Sequence, residues 1–336
     1  MKPFRRAVVA GKFYPPHRGH HLVIDTALAQ ADAVSVLLCV RPGDRIDGNL
    51  RACWLREMHP RADILAVDDR YDEQDSALWA RNTIAWLGCA PDAVFASESY
   101  GEAYAREMGA VYVAVDPQRA RVPCSATRVR ADCFAEWEYL AAPVREWFAL
   151  RVCVLGAEST GSTTLASALA AHYRTEWVAE YGREYSGRKR ERGELAWQSR
   201  EFVAIASEQN RRENAAARRA DRLLIADTNA LATALWHRRY MGFVSAEVAA
   251  IAALVRCDLY LLTGDEIPFE QDGMRDGEAI RHEMQEWFRS ALGAGSVPWV
   301  ELRGGPGERL TAAIAAIEAR RPQVASLASR LPGALS

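Results

Sequence analysis

The sequence predicts an α/β protein made of two doubly wound parallel-sheet domains, and three observations lead to that prediction. Short β-branched segments alternate with helical patterns along most of the chain, as in sheets joined by right-handed helical crossovers. Two predicted strands run into polar, glycine-containing turns that open a helix, at residues 11–20 and 156–164. The length of 336 residues favours about two domains.

The first predicted domain covers residues 1–148. Its predicted strands are residues 7–10, 34–40, 64–67, 93–96 and 111–115, and its predicted helices are residues 21–31, 49–58, 76–87 and 101–108. Ligands of such sheets bind at the carboxyl ends of the strands. This rule places His17, His20 and the Asp116-Pro117 turn at one edge of the sheet.

The second predicted domain covers residues 149–322 and repeats the same logic. Its strands are predicted near residues 151–155, 176–179, 222–226, 258–262 and 298–302, with helices near residues 163–172, 195–219 and 307–320. The remaining tail, residues 323–336, is rich in Ala, Ser and Leu. We expect this tail to be frayed or weakly helical.

Composition excludes several classes of protein. The 42 basic and 44 acidic residues nearly balance, so nothing points to nucleic acid or an anionic membrane as partner. Because there is no secretory leader pattern and no run of eighteen apolar residues, we expect a cytoplasmic protein. Seven cysteines without a CxxC pair or a Cys/His cluster argue against a disulfide framework and a zinc site and indicate reduced, mostly buried thiols.

The first turn, Gly11-Lys12-Phe13-Tyr14-Pro15-Pro16-His17-Arg18-Gly19-His20, follows an apolar strand and precedes a helix. Two histidines that flank an Arg-Gly pair can donate hydrogen bonds next to helix N-terminal amides. This arrangement predicts a polyphosphate site. Lys12 adds a cation to it and is one of only three lysines, with Lys2 and Lys189.

A second polar segment, Cys124-Ser125-Ala126-Thr127-Arg128-Val129-Arg130, has hydroxyls at a predicted helix start. Ser125 and Thr127 can bind phosphate oxygens, and Arg130 supplies a planar, permanently charged fork for them. Taken alone, the segment is also compatible with an ordinary helix cap.

The third segment, Gly156-Ala157-Glu158-Ser159-Thr160-Gly161-Ser162-Thr163-Thr164, follows a strand and opens a helix. This is the context of a GxxxxGK[ST] phosphate-binding loop, or P-loop, whose amides hold phosphates and whose Ser/Thr hydroxyl holds magnesium. Ser162 stands at the position of the lysine. Since that lysine stabilises charge during phosphoryl transfer, its replacement makes a turn without phosphate chemistry the alternative.

Three further segments support a nucleotide site in the second half. An apolar strand ends at Asp227, as a magnesium-binding strand does, and the segment Glu180-Tyr181-Gly182-Arg183 follows another strand. The glycines of residues 271–277, together with Arg275 and Arg281, are typical of a lid over phosphates. The alternatives are a helix-capping acid for Asp227, a solvated charge run for residues 180–183 and a polar loop for residues 271–277.

The first turn resembles the HxGH signature of the nucleotidyltransferase superfamily, and residues 124–130 resemble its distal ISxTxxR motif with Cys in place of Ile. Together with VDPxR at residues 115–119 and the GxES, EYGRE and DGxR elements of the second half, they resemble the NadR family over nearly the whole chain. This resemblance implies an HxGH, Rossmann-like nucleotidyltransferase domain followed by a P-loop kinase-like domain. The chain starts close to the first strand, so we expect no N-terminal helix-turn-helix repressor module and no binding to DNA.

The resemblance implies that the first domain transfers adenylyl from ATP to nicotinamide mononucleotide (NMN), giving NAD and pyrophosphate. It assigns phosphate binding to Gly11, Lys12, Phe13, His17, Gly19 and His20, and the leaving pyrophosphate to Ser125, Thr127 and Arg130. Asp116 and either Trp79 or Trp86 are candidate substrate contacts, with core packing as the alternative for both tryptophans.

For the second domain the resemblance implies ATP-dependent phosphorylation of nicotinamide riboside. It assigns triphosphate binding to Gly156, Glu158, Ser159, Thr160, Gly161, Ser162, Thr163, Thr164, Arg275 and Arg281, Mg²⁺ to Thr163 and Asp227, and substrate binding to Tyr181 and Arg183. Glu180 and Asp227 remain alternative acceptors of the hydroxyl proton. The resemblance also implies a homo-oligomer.

Two other functions remain open at this stage. The second domain could be a degenerate kinase that senses a nucleotide or riboside, because Ser162 replaces the lysine. The first domain could act on a different phosphate ester, such as phosphopantetheine, because the HxGH motif does not by itself select the acceptor.

Overall fold

The computed structural model describes residues 1–72, 75–194, 196–271 and 278–330. The chain divides into two compact units, one formed by Met1–Val144 with Ser326–Ala328 and the other mainly by Arg145–Ala325. The division falls close to the predicted domain boundary, and each unit contains one five-stranded sheet.

The first unit alternates strands and helices throughout. Its strands are β1 (Phe4–Gly11), β2 (Ala31–Val40), β3 (Asp63–Asp68), β4 (Ala93–Ala96) and β5 (Val111–Ala114). Its helices are α1 (Arg18–Gln30), α2 (Gly48–Met58), α3 (Ser76–Leu87), α4 (Tyr100–Glu107) and α5 (Ala126–Ala131), and α6 (Ala142–Phe148) spans the division between the units. The strands are parallel in the order β3-β2-β1-β4-β5.

Helices cover both faces of this sheet because neighbouring residues of a strand point to opposite sides. Val9 packs with Ile24 of α1 and Leu55 of α2. Its neighbour Val8 packs with Ala80 of α3 and Tyr104 of α4. The predicted doubly wound arrangement is therefore confirmed, and the strand order reverses between β1 and β4, where ligands of such folds bind.

The second unit has the same alternation with more helices. Its strands are β6 (Leu150–Leu155), β7 (Glu176–Val178), β8 (Leu223–Asp227), β9 (Leu259–Thr263) and β10 (Trp299–Leu302). Its helices are α7 (Ser162–Tyr173), α8 (Tyr181–Glu191), α9 (Ser199–Ala217), α10 (Ala230–Met241), α11 (Ala246–Ala253), α12 (Arg281–Ala294) and α13 (Pro306–Ala325). The strands are parallel in the order β10-β9-β6-β8-β7.

The sequence prediction found every strand in both sheets but missed several helices of the second unit. Charged residues dominate α8, so it has no apolar stripe. Four consecutive residues of α10, Ala232 to Leu235, are buried, so it has no regular polar face. The prediction also contained no helix at the positions of α11 and α12.

The C-terminal tail is more ordered than its composition predicts. Helix α13 continues through Pro322 to Ala325, and Leu327 is buried. The Leu327 amide donates to the Arg130 carbonyl at 2.9 Å. Residues 323–325 are thus helical and Leu327 is packed rather than frayed, while residues 331–336 of the predicted tail lie outside the described residues.

Two chain-wide features can be compared with the sequence. All seven cysteines are free thiols, and Cys39, Cys124, Cys133 and Cys153 are buried. Within the described residues, no helix combines the length and apolar character needed to cross a membrane.

Candidate active sites

His17 and His20 lie at the start of α1, where they cap the helix. The Nδ1 atom of His17 accepts a hydrogen bond from the Gly19 amide at 3.1 Å, and the Nδ1 atom of His20 accepts from the His17 amide at 3.2 Å. The two ring centroids are 3.8 Å apart. Because each neutral ring uses Nδ1 as an acceptor, its proton lies on Nε2, which makes both Nε2 atoms hydrogen-bond donors.

Both histidines are neutral at physiological pH. Burial and, to a smaller extent, the charge of Arg119 lower the pKa of His17 to about 4. Burial and the neighbouring His17 lower the pKa of His20 well below its usual value. Each neutral ring can therefore donate one hydrogen bond, from Nε2, to a phosphate oxygen.

A cavity lies beside the two histidines at the point where the strand order reverses. Ser125 forms part of its opposite wall and caps α5 by accepting from the Arg128 amide at 3.2 Å. The cavity is lined by His17, Gly19, His20, Ser97, Glu98, Val115, Asp116, Arg119, Val122, Cys124, Ser125, Ala126 and Thr127. The two motifs, distant in the sequence, thus meet at the carboxyl edge of the sheet.

Arg130 and Lys12 lie close to this site, but neither lines the cavity. Arg130 donates to the Tyr14 carbonyl at 2.7 Å and to Thr127 Oγ1 at 3.0 Å. The Lys12 side chain is 45% exposed and its Nζ lies 3.8 Å from a carboxylate oxygen of Asp69. Arg130 therefore ties the first motif to the second, whereas Lys12 lies at the margin.

The other predicted residues of the first domain shape the site or lie away from it. The Phe13 ring is buried and its centroid lies 5.0 Å from that of His20, and Gly11 lies against the same ring. Asp116 lines the cavity, but its carboxylate accepts from the Arg121 and Val122 amides, which hold its pKa low. Its principal contacts are thus within its own loop.

Trp79 and Trp86 do not line this cavity. Their ring centroids are 6.1 Å apart, and both pack against the buried cluster that contains Ala80 and Tyr104. The Trp79 indole donates to the Asp72 carbonyl at 3.0 Å. The structure places both side chains in the core rather than beside the histidines.

Two charged residues of the cavity wall, Arg119 and Glu98, were missing from the predicted site. Arg119 Nη2 lies 2.7 Å from Glu98 Oε1, and its charge reaches His17. Arg119 belongs to the VDPxR segment, which was a usable signal in the sequence. Glu98 follows β4 in a short loop without a recognisable motif.

The second turn follows β6 and opens α7. A Cβ atom on Gly156 would lie 2.4 Å from Thr263 Oγ1 and 2.6 Å from Thr160 Oγ1, so this position requires glycine. Ser159 and Gly161 have left-handed φ angles of 59° and 81°. A turn of this kind presents successive backbone amides at a helix N-terminus and forms a concave anion site.

The side chains of Thr163 and Ser162 both contact Asp227, the last residue of β8. Thr163 Oγ1 donates to Asp227 Oδ2 at 2.6 Å. Burial raises the pKa of Asp227, and hydrogen bonds from Thr163 and Ser162 partly oppose that rise. Ser162, at the lysine position, therefore donates a hydrogen bond from a neutral hydroxyl to the Asp227 carboxylate and supplies no positive charge.

Glu180 lies immediately before α8 and lines the same cavity as the second turn. Burial, and next the repulsion of Asp227, raise the pKa of Glu180 to about 7, while Arg183 acts in the opposite direction. A carboxyl group with this pKa can accept a proton near neutral pH.

Among the described residues, Arg239, Arg281 and Arg309 contact the P-loop. Arg239 Nη1 lies 3.2 Å from Glu158 Oε1. Arg281 donates to the Ser159 carbonyl at 3.1 Å, and Arg309 donates to the Thr160 carbonyl at 2.6 Å. The predicted lid residue Arg281 thus binds the backbone of the loop, while Arg275 lies outside the described residues.

Aromatic side chains form the far wall of the second cavity. The ring centroids of Trp197 and Tyr240 are 5.4 Å apart, and those of Trp236 and Tyr240 are 6.5 Å apart. Besides residues 155–164, the cavity is lined by Glu180, Gly182, Arg183, Ser186, Trp197, Phe202, Ile205, Gln209, Thr228, Thr233, Trp236 and Tyr240. The aromatic members were not predicted, because they come from separate segments without a shared motif.

The predicted substrate residue Tyr181 does not line this cavity. Its ring lies 4.3 Å from the Arg212 guanidinium, and its amide donates to Gln209 Oε1 at 3.0 Å. Gln209 does line the cavity, so Tyr181 supports the wall through its backbone.

Fold and sites together define a two-domain α/β protein in which a domain with an HxGH turn precedes a P-loop domain. Residues 151–309 match a family model described as an AAA domain. Two curated relatives, the trifunctional NAD biosynthesis/regulator proteins NadR of Escherichia coli and Salmonella typhimurium, are 26% and 27% identical over 322 residues, covering 88% of this chain and 78% of each relative. The chain is thus similar to these NadR proteins over most of its length.

Solved structures share the fold over almost the whole chain. A NadR protein in complex with NAD and AMP-PNP has a TM-score of 0.75 and 19% identity to this chain. A NadR protein in complex with NR has a TM-score of 0.77 and 21% identity. Each comparison covers 96% of this chain and 97% of the solved one.

Proposed function

We propose that this chain is an enzyme of NAD biosynthesis and salvage whose two domains catalyse consecutive steps. The second domain phosphorylates nicotinamide riboside to NMN, and the first adenylylates NMN to NAD. One observation carries the proposal: each sheet has a cavity-lining turn that opens a helix at the carboxyl end of its central strand, β1 or β6, and the two turns have different chemistry. Similarity to NadR proteins supports the assignment to NAD metabolism.

In the first domain, an oxygen of the NMN phosphate attacks the α-phosphorus of ATP. The new bond joins the two nucleotides as NAD, and the bond between the α-phosphorus and the bridging oxygen breaks to release pyrophosphate. The NMN phosphate is already an anionic nucleophile, so positioning and charge stabilisation are sufficient. The Nε2–H groups of His17 and His20 hold the triphosphate, and Ser125 and Thr127, braced by Arg130, hold the leaving pyrophosphate.

In the second domain, the 5′-hydroxyl of nicotinamide riboside attacks the γ-phosphorus of ATP. The oxygen–phosphorus bond forms, the bond to the β,γ-bridging oxygen breaks, and ADP leaves with its electron pair. The hydroxyl proton passes to Glu180, whose pKa of about 7 suits an acceptor at neutral pH. Asp227 is the alternative acceptor.

The donor set of the second site fits Mg²⁺, a hard cation that prefers oxygen ligands and keeps substrate phosphates or waters in most positions. Thr163 Oγ1 and the Asp227 carboxylate would hold it. When bound, Mg²⁺ supplies charge neutralisation for the phosphates.

The aromatic wall supports nicotinamide riboside as the acceptor. Its pyridinium ring is flat and positively charged, and both properties favour the faces of Trp and Tyr rings. Trp197, Trp236 and Tyr240 line the same cavity as Glu180. This wall offers the ring a binding surface in the cavity that holds the proton acceptor.

The test is to supply purified protein with ATP and nicotinamide riboside and to follow NMN and NAD. We expect the wild type to form NAD, and His17→Ala to accumulate NMN because its first site is blocked. Wild-type protein that converts NMN to NAD but never phosphorylates the riboside would contradict the kinase assignment.

A second candidate function for the C-terminal domain is nucleotide or riboside sensing without catalysis, and Ser162 at the lysine position is the observation that favours it.

For the first domain, the alternative is that another phosphate ester is the acceptor. Pyrophosphate release measured with NMN and with phosphopantetheine distinguishes the two acceptors.

A further inference from the structure

The P-loop cavity has an unusual balance of charge. The lysine position holds Ser162, whose hydroxyl is bonded to Asp227. Two carboxylates, Glu158 and Glu180, line the cavity itself. A bound triphosphate adds further negative charge, so phosphoryl transfer here needs a cation from outside the usual motif position.

The three arginines that contact the P-loop are engaged with the loop itself. Arg239 is paired with Glu158, Arg281 binds the Ser159 carbonyl, and Arg309 binds the Thr160 carbonyl. None of the three lines the cavity. Their contacts hold the shape of the loop, so they are poor candidates for contact with the transferred group.

Arg183 is the only Lys, Arg or His among the described residues that line this cavity. It lies in the first turn of α8, three residues after Glu180. Its charge is felt by both Glu180 and Asp227, whose pKa values it lowers. Arg183 therefore lines the same cavity as the proposed proton acceptor Glu180 and lies close enough to the proposed magnesium ligand Asp227 to affect its charge.

We propose that Arg183 replaces the P-loop lysine, contacting the γ-phosphoryl oxygens of ATP with its guanidinium while the bond to the β,γ-bridging oxygen breaks. A guanidinium can bind two phosphate oxygens at once and stays charged throughout. No proton moves to or from Arg183; the hydroxyl proton still goes to the carboxylate. The catalytic part of this assignment rests on the proposed kinase function.

A double-mutant cycle with Ser162→Lys tests the replacement. Arg183→Ala should lower kcat for riboside phosphorylation by about 100-fold or more, the scale of losing one preorganised charge contact. In the Ser162→Lys background the same change should cost less than about tenfold, because a lysine again serves the phosphates. Two results would overturn the proposal. One is that Arg183→Ala lowers kcat by the same factor in the wild-type and Ser162→Lys backgrounds, and the other is that Arg183→Ala keeps kcat within about threefold of wild type.

The matched control is Arg188→Ala on the same helix, because Arg188 pairs with Glu184 and does not line the cavity. We expect this variant to keep wild-type kinetics. Arg183→Lys tests for a folding defect, since a lysine that can reach the phosphates should recover part of the rate. The far-ultraviolet circular dichroism spectrum and Tm of Arg183→Ala and Arg188→Ala should match those of wild type.

A binding measurement separates this proposal from the kinase assignment. AMP-PNP and AMP are titrated into each protein by calorimetry, which requires no turnover. Arg183→Ala should weaken AMP-PNP by about tenfold while leaving AMP within about twofold, and Ser162→Lys should restore AMP-PNP. If wild type transfers no phosphate but shows this pattern, the kinase assignment fails and the phosphate contact stands. Equal weakening of both nucleotides, or no weakening, overturns the contact itself.

Discussion

The two proposed phosphate sites differ in the groups that would bind the negative charge of the phosphates. The first uses neutral histidines fixed by their own helix cap, with ring nitrogens as donors. The second uses a backbone turn whose side-chain hydroxyls are directed to a buried carboxylate, and its motif lacks the usual lysine. The histidine pair of the first site is therefore positioned within one helix turn, whereas the charged and hydroxyl groups of the second site come from several elements. A single substitution should be more damaging, and more specific, in the histidine pair.

The sharpest test of this difference is His17→Asn. Asparagine is a good N-cap and preserves the start of α1, but it removes the imidazole donor. We expect adenylyl transfer to fall by about 1,000-fold, the upper range for losing one preorganised donor, with Tm close to wild type. Pyrophosphate release with NMN measures the rate. Unchanged release would contradict a role for His17 at the phosphates.

The corresponding change in the second domain is Asp227→Asn. The substitution keeps the size of the side chain but removes the charge that holds Mg²⁺, so riboside phosphorylation should fall by about 100-fold or more. Adenylyl transfer from added NMN should remain within about twofold. Asp221→Asn, at an exposed carboxylate shortly before β8, is the control. A parallel loss of both activities would mean that Asp227 supports more than its own domain.

The pH dependence of the second reaction follows from Glu180. Burial raises its pKa to about 7, so the acceptor form is lost as the pH falls below 7. We expect kcat/KM to fall about tenfold per pH unit on the acid side, and Glu180→Gln to remove both most of the activity and this limb. If the limb survives in Glu180→Gln, Asp227 is the acceptor.

Sequence reasoning recovered the strands and both strand–turn–helix junctions because these are local signals. A strand followed by a glycine-containing turn and a helix is visible within about ten residues. It did not recover Arg119, Glu98 or the aromatic wall, because these side chains meet only when separate strands and helices pack. It also gave Lys12 and Asp116 more direct roles than their contacts indicate, since motif membership does not reveal which way a side chain is engaged.

The histidines also make the stability of the first unit sensitive to acid. The folded pKa of His17 is lowered to about 4, below the value near 6.5 of an unfolded chain, and that of His21 is lowered by burial and by His59 to about 3. Between pH 6.5 and 4, His17 and His21 are therefore more protonated in the unfolded chain than in the folded chain. Stability should fall with decreasing pH by up to ~1.4 kcal/mol per pH unit for each histidine.

Urea unfolding between pH 4 and 7, monitored by circular dichroism, measures this effect. His17→Asn should show a shallower dependence than wild type, because one of the titrating groups is gone. Identical slopes would mean that His17 is not held neutral in the folded protein.

The smallest expected effect is that of Lys12, which belongs to the first sequence motif but does not line the cavity. Its side chain is half exposed, 3.8 Å from a carboxylate oxygen of Asp69 and outside the cavity lining. We expect Lys12→Ala to raise KM for ATP by less than about tenfold and to leave kcat nearly unchanged, as for an exposed charge that attracts the triphosphate without stabilising the transition state. A loss of kcat as large as that of His17→Asn would show that Lys12 moves onto the phosphates when substrate binds. A charged side chain from outside the α1 helix turn would then stabilise the phosphates of the first site as well, and the contrast between the two sites would weaken.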